Sequence, residues 1–489
     1  MMKSLIRFSV NNSIVVIFMT VIISIYGVYS FNVLSVDAVP DITNTQVQVI
    51  TLANGLVPEE VERQVTFPIE ASLNGIKGVE DIRSVSRFGL SHITVIFTED
   101  TKILEARQLI SERLKLIERE LSGDYKVFMG PIVTGLGDIF HYTVLPKNKK
   151  LEDLSMEEVM DLRGVQDWVI RPRLLRVKGV AEVNTTGGYS KQYYVLPDLQ
   201  KMLLHGISFP ELLNALKINN FNVGGGYFEK GDAQILIQGS GLLKNIPDIQ
   251  NVPIKLSKNL TTVFIKDVAD VKLDKPLIVG AATFNGHSAF IGSPLMMAGE
   301  NSRKVSERLK NAIEELNKTT LQDYEIKILY DRSELVNKTL STVNGNLYFG
   351  CGLVVLVLLL LIGNLRAALI TSIMIPISLL ITFIIMKLSN LSGNLMSLGA
   401  LDFGVIIDGV VIVIDNCIRQ IQNKASLKGS SLNKEEIKDT VVDATSEIMS
   451  AATLGRIIII LVFVPLLFLT GVEGKMFSPM AKKFIYAPS

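Results

Sequence analysis

Cysteine is almost absent from this 489-residue chain: Cys351 and Cys417 are the two, and both lie in or beside apolar runs. That pair supports neither a disulfide framework nor a zinc cluster. Histidine is scarce too, and His92, His141, His205 and His287 show no ligand spacing. Formal net charge is only +1, so bulk charge gives no reason to expect a nucleic-acid partner. No G-x-x-x-x-G-K-S/T string occurs, which removes the usual phosphate loop and, with it, ATP as an energy source within this chain. No cofactor and no enzymatic centre are expected.

What the chain has in excess is apolar character. Hydrophobic residues make up 48% and mean hydropathy is +0.36. The excess lies in blocks, which points to membrane spans alternating with an aqueous part. Five runs stand out: 14–31 ("IVVIFMTVIISIYGVYSF"), 347–363, 368–386, about 395–416 and 455–471. About 20 apolar residues cross a bilayer, so each is long enough or nearly so. The first run follows Lys3 and Arg7 and no A-x-A site comes after it, so it reads as a retained anchor. Lys3 and Arg7, then Arg366, then Arg419, Lys424, Lys428, Lys434 and Lys438 all become cytoplasmic if the N-terminus is inside. The segment 32–345 then lies outside, and it is too long and too patterned to be a linker.

Two short strings recur in that outer region. "IKGVEDI" (76–82) resembles "VKGVAEV" (177–183), and "SERLK" occurs at 111–115 and 306–310. The order of the matches suggests two copies of one βαββαβ unit. From Gly78 to Ser111 is 33 residues and from Gly179 to Ser306 is 127, so the second copy holds 94 more, within about 197–290. That insertion contains "NVGGGYFEKGDAQILIQGSG" (222–241), read as a hairpin with a glycine turn at the triplet. The expected division is 1–34 for the first span, 35–135 and 136–335 for the two outer units, and 336–489 for spans two to five.

The run "LDFGVIIDGVVIVIDN" (401–416) carries Asp402, Asp408 and Asp415. An acid at the centre of a span costs about 2.5–3.5 kcal/mol even on the lower insertion scales. Asp415, followed by Asn416 and Arg419, also reads as an ordinary interfacial residue; Asp402 and Asp408 are flanked by apolar residues. At about 100° per residue, Asp408 and Asp415 nearly eclipse while Asp402 stands about 120° away. Gly404 and Gly409 leave room for a neighbouring helix. Arg456, in the fifth run, is the only basic candidate partner in the sequence, and it is expected to snorkel to the cytoplasmic face. Carboxyls so placed can take a proton from one side and release it to the other. Asp402 and Asp408, with Asp415, are therefore the candidate proton relay.

The stretches "DAVPDITNTQVQV" (37–49), "NNFNVGGGYFEKGDAQILI" (219–237), "GAATFNGHSAFIG" (280–292), "MMAGENSRKV" (296–305), "DFGVIIDGVVIVIDN" (402–416) and "TGVEGKMFSPMA" (470–481) resemble the heavy-metal efflux branch of the resistance–nodulation–division superfamily. The resemblance implies a polytopic α-helical membrane protein with a large α+β periplasmic region of two ferredoxin-like subdomains, one carrying a docking insertion. It implies a homotrimeric, proton-driven inner-membrane pump, embedded in lipid, that works with a periplasmic adaptor and an outer-membrane channel to expel metal cations. Two acids in the DFG-x3-DG run favour divalent substrates: zinc, cobalt, cadmium or nickel. Asp415 stands where the family has Glu. The family's chain is about twice as long, so this sequence is expected to be an incomplete N-terminal half that stops where a sixth span should begin. The metal site is unassigned, because much of the porter cleft lies in the other half. Met296 and Met297 are adjacent and point to opposite faces of a strand, which favours packing over ligation. The alternatives are an inactive truncated remnant and a multidrug efflux subunit of the same superfamily.

Overall fold

Ser13–Val33 contains no charged side chain, and in the computed structural model it forms α1, an unbroken 21-residue helix. At 1.5 Å per residue it is about 31 Å long, the thickness of a bilayer's hydrocarbon core. The structure describes residues 2–486 apart from 35, 38, 122, 124, 257–260, 277–279, 363–364, 390–392, 395–402 and 431.

After α1 the chain builds an antiparallel sheet from β1 (Gln46–Leu52), β2 (Val79–Arg87), β3 (Leu90–Phe97) and β4 (Lys126–Met129), in the order β2-β3-β1-β4. Val47, Val49 and Thr51 alternate inward along β1, the period of a half-buried strand. Two helical stretches cover that face. One runs from Pro58 to Leu73 and buries Val61, Val65, Ile69 and Leu73; the other, α2 (Ile103–Ile117), buries Ala106, Ile110, Leu114 and Ile117. In chain order the unit is strand, helix, two strands, helix, strand.

A second sheet repeats the order. Its matching strands are β5 (Phe140–Pro146), β6 (Val180–Gly187), β7 (His287–Met296) and β8 (Tyr324–Asp331), arranged β6-β7-β5-β8, and a short fifth strand, Ala282–Phe284, also pairs with β7. Helix α3 (Ser302–Thr319) buries Val305, Leu309, Ile313 and Leu316 against it. The recurring strings have a conformational cause. Gly78 (φ 85°) and Gly179 (φ 96°) each take a left-handed turn one residue before β2 and β6, which only glycine does without strain. The covering helices match as well: each has a π-type turn, Glu62–Thr66 or Gln166–Ile170, just before Phe67-Pro68 or Arg171-Pro172. Proline donates no N–H, and the widened turn accommodates that loss.

Between β6 and β7 the chain leaves the sheet and forms its own small core around Met202, Leu212, Ile249, Ile265, Val268 and Val271. From it projects the hairpin Val223–Lys230 with Ala233–Gly239, exposed at every residue. The turn is not at the glycine triplet expected to make it. It lies at Gly231 (φ 63°), while Gly226 (φ 78°) accompanies a register shift within the hairpin. Glycine's freedom is used there for a bulge and not for the reversal.

Strand β8 passes without a break into α4 (Arg332–Ile362), followed by α5 (Leu365–Leu388), α6 (Phe403–Lys428), α7 (Lys434–Phe463) and α8 (Gly471–Tyr486). Among the described residues, three helical stretches are long and apolar enough to cross a membrane: Ser13–Val33, Ala367–Leu388 and Lys434–Phe468. Helices α1 and α5 meet at Gly27, where a Cβ would lie 2.6 Å from that of Leu380, and at the Phe31 and Phe383 rings, 4.9 Å apart.

Candidate functional site

Helix α6 carries "FGVIIDGVVIVIDN" into a basic tail, and one of its faces is fixed by α7. Asn416 is buried and its Nδ2 donates to the Ala444 carbonyl at 3.0 Å. Next to it, Cys417 Sγ lies 3.6 Å from Thr445 Oγ1, and Gln420 Nε2 donates to Glu447 Oε2 at 3.3 Å. Nearer the connection, Lys428 of α6 pairs with Glu436 of α7, and this pair and Asn416–Ala444 run in opposite directions along the two helices, so the packing is antiparallel. Gly409 precedes Asn416 by seven residues, two helical turns, and so falls on the same stripe. Arg456 of α7 lies across it: a Cβ at Gly409 would stand 3.1 Å from both Cζ and Nε of the guanidinium, with Nη2 nearer still. The guanidinium of Arg456, expected to snorkel toward the cytoplasmic face, lies across the neighbouring helix in the notch that a glycine leaves there.

Of the three candidate acids, Asp408 belongs to α6 immediately before Gly409. Asp415 is also on α6 and is exposed, next to the buried Asn416, whose Oδ1 accepts from Arg419 at 3.2 Å. Asp402 lies outside the described residues.

The helical end is tied to the sheets at two places that sequence reading did not find. At the β8–α4 boundary, Asp331 has a fully buried side chain. Burial works against its charge, yet Lys310, the Ser333 N–H (2.8 Å) and the Ser333 hydroxyl hold its carboxyl below its usual value. Beside it, Arg332 Nε meets Asp37 Oδ1 at 3.0 Å, and its Nη1 donates to the Leu136 carbonyl at 3.3 Å. Asp37 and Arg332 are 295 residues apart, a separation at which no sequence pattern marks a pair. At the second place, Lys475, from the string "GVEGKMF", donates to the Thr43 carbonyl (2.8 Å) and Asn44 Oδ1 (3.1 Å) and stands 3.5 Å from Glu99. It lines a cleft of about 360 Å³ with Asp41, Glu99, Leu469 and Pro479.

No group of three or more His, Cys, Asp or Glu side chains capable of holding a metal occurs among the described residues. His141 is taken up by Ser293 Oγ (2.8 Å) and Asp138 (3.4 Å). Met296 is buried in the second core and Met297 is exposed, the opposite faces that a strand imposes.

The model of the AcrB/AcrD/AcrF family matches residues 5–488. Over 488 residues the chain is 46% identical to Protein HelA of Legionella pneumophila, which covers 100% of this chain and 46% of that protein. It is 43% identical over 462 residues to the cobalt-zinc-cadmium resistance protein CzcA of Cupriavidus metallidurans, covering 94% of this chain and 43% of that one. Among solved structures, a heavy metal efflux pump in its second crystal form superposes with a TM-score of 0.87 at 32% identity, over 100% of this chain and 46% of the pump. The chain thus spans less than half the length of each of these proteins.

Proposed function

Because the chain belongs to the AcrB/AcrD/AcrF family, and within it to the heavy-metal efflux branch of the resistance–nodulation–division superfamily, we propose that it is part of a proton-driven pump that expels divalent metal cations. The observation that carries this reading is α6: an acid-bearing helix held against α7 by a buried amide and a glycine notch. Charge in such a place is costly and needs a use.

Asp402 and Asp408 take up protons from the outer side and release them to the cytoplasm, and Asp415 serves at the inner end. Each change of charge alters how α6 packs on its neighbours, so proton occupancy biases one arrangement of the helices over another. The unbroken passage from β8 to α4, fixed by Asp331 and Arg332, and the contact of Lys475 with Thr43 and Asn44 supply routes for that change to reach the sheets. The cargo is zinc, cobalt, cadmium or nickel, a reading supported by the two acids of the DFG-x3-DG run and by the relative named for cobalt, zinc and cadmium.

The two βαββαβ units act as ferredoxin-like porter subdomains outside the inner membrane, and the segment between β6 and β7 is the docking insertion. The chain crosses the membrane several times with its N-terminus in the cytoplasm. It works as a homotrimer with a periplasmic adaptor and an outer-membrane channel.

The test is cation movement in vesicles bearing the assembled pump, with and without an imposed pH gradient. Zinc or cobalt transport that follows the gradient and stops with a protonophore is expected. Transport that persists after the gradient collapses contradicts the proposal.

A further inference from the structure

Lys387 is the charged residue at the sheet-side end of α5. Between it and Arg366, at the other end, α5 carries no charge, and α1 carries none from Ser13 to Val33. The two helices run in the same direction, since Gly27 meets Leu380 and Phe31 meets Phe383. They also end together: beyond them Val36–Asp37 pairs in parallel with Gly393–Asn394. A lysine at the end of a span ordinarily carries its ammonium out to water. Here the ammonium stands over two rings of α1, 4.1 Å from the centre of Tyr29 and 5.1 Å from that of Tyr26, and the ring centres are 6.0 Å apart. Both contacts fall within the roughly 6 Å over which a ring face attracts a cation.

Ring faces answer the charge but not the donors. A lysine ammonium has three N–H donors and no acceptor, and among the described residues Lys387 meets neither a carboxylate nor a carbonyl oxygen. Asp37, the first acid after α1, is bonded to Arg332 at 3.0 Å. Tyr26 and Tyr29 are themselves exposed, and Ile22, Ile25 and Val28 beside them are exposed apolar side chains on a stretch long and apolar enough to cross a membrane. The surface around the two rings is thus lipid-facing, with the cation at the level where a span meets the headgroups. The acceptors at that level are water, ester carbonyls and phosphates, and of these only the phosphate brings the opposite charge.

We propose that Lys387, with Tyr26 and Tyr29, is a binding site for the phosphate of a phospholipid in the leaflet nearest the sheets. The ammonium donates to the phosphodiester oxygens, the rings hold the ammonium in place, and the acyl chains lie along the exposed apolar side of α1. A lipid so held ties α1 to α5 and fixes their depth beneath the sheets. The site requires only that these two helices cross a bilayer; it does not depend on the proton-relay reading.

The experiment is a lipid titration of the 489-residue chain in a neutral detergent, read by thermal melting. The probes are short-chain phosphatidylglycerol, diacylglycerol of the same chain length, and inorganic phosphate. Phosphatidylglycerol should raise the melting temperature with concentration, as a ligand of the folded state does, while the other two should not. In Lys387→Gln the apparent Kd for phosphatidylglycerol should rise about tenfold, the equivalent of one charge-assisted hydrogen bond. In Lys387→Arg it should stay near the parent's. Tyr26→Leu with Tyr29→Leu leaves the charge and removes the ring faces, so it should weaken binding as well; Tyr26→Phe with Tyr29→Phe keeps the faces and should retain most of it. The tyrosine variants carry the test if Lys387→Gln does not fold. An unchanged Kd in Lys387→Gln or in the double leucine variant, equal shifts from diacylglycerol, or the same shift from inorganic phosphate alone would each overturn the proposal.

Discussion

Replacing Asp331 with Ala removes the acceptor at the point where β8 becomes α4. Two groups then lose their partner: the Ser333 N–H at 2.8 Å and the Ser333 hydroxyl. A buried donor left unmade costs about 1–3 kcal/mol. Lys310, the third partner, has a side chain 37% exposed and can return to water, so it adds little. The sum falls near 3 kcal/mol, the lower end of the roughly 3–5 kcal/mol typical of breaking a buried pair. Asp331→Asn keeps an oxygen for the Ser333 N–H and gives up only the charge, so it should cost less, about 1–2 kcal/mol. The two variants can be compared by denaturant unfolding of the chain in detergent.

The pH dependence separates charge from shape. The folded carboxyl of Asp331 is held below its ordinary value, so its contribution is present at neutral pH and disappears as pH falls through and below the ordinary carboxylate range near pH 4. The Asn variant should lose that part of the acid sensitivity while the parent keeps it. An Ala variant within about 0.5 kcal/mol of the parent, the range of ordinary surface changes, would refute the reasoning.

The remaining expectations are more local. Gly292→Ala drives a methyl into the ring of the buried Tyr142, which is itself fixed by its hydroxyl donating to Gln166 at 2.9 Å; a loss of about 1–3 kcal/mol is expected, and unchanged unfolding would contradict the packing. Asn416→Leu removes the amide bonded to Ala444 and should cost about 1–2 kcal/mol, read by thermal melting; a gain in stability would show that this amide does not fasten α6 to α7. Replacing the exposed hairpin 224–238 with a short turn should leave the melting of the remaining chain within about 0.5 kcal/mol, since none of its residues is buried, and a larger loss would show a hidden contact.

The repeat could be read because its cause is local. A left-handed glycine before a strand leaves the same short string wherever the unit recurs, and Gly78 and Gly179 both show it. The acids of α6 could be read because charge in an apolar run is costly enough to stand out without any structure. The hairpin was legible but its turn was not: three glycines in a row carry no side-chain pattern to fix a register, and pairing put the reversal at Gly231 instead. Arg332 with Asp37, Lys475 with Thr43 and Asn44, and Arg456 over Gly409 were illegible for a common reason. Each joins positions far apart in the chain, where periodicity carries no information about which residues meet.

The central claim is that an acid of α6 moves the proton that drives the cation. Its most direct test is simultaneous recording of proton and zinc flux through the complete pump in proteoliposomes, comparing the parent with Asp408→Asn. The account predicts opposed proton and zinc fluxes in the parent and loss of both in the variant. Undiminished exchange of the two ions in Asp408→Asn would contradict it.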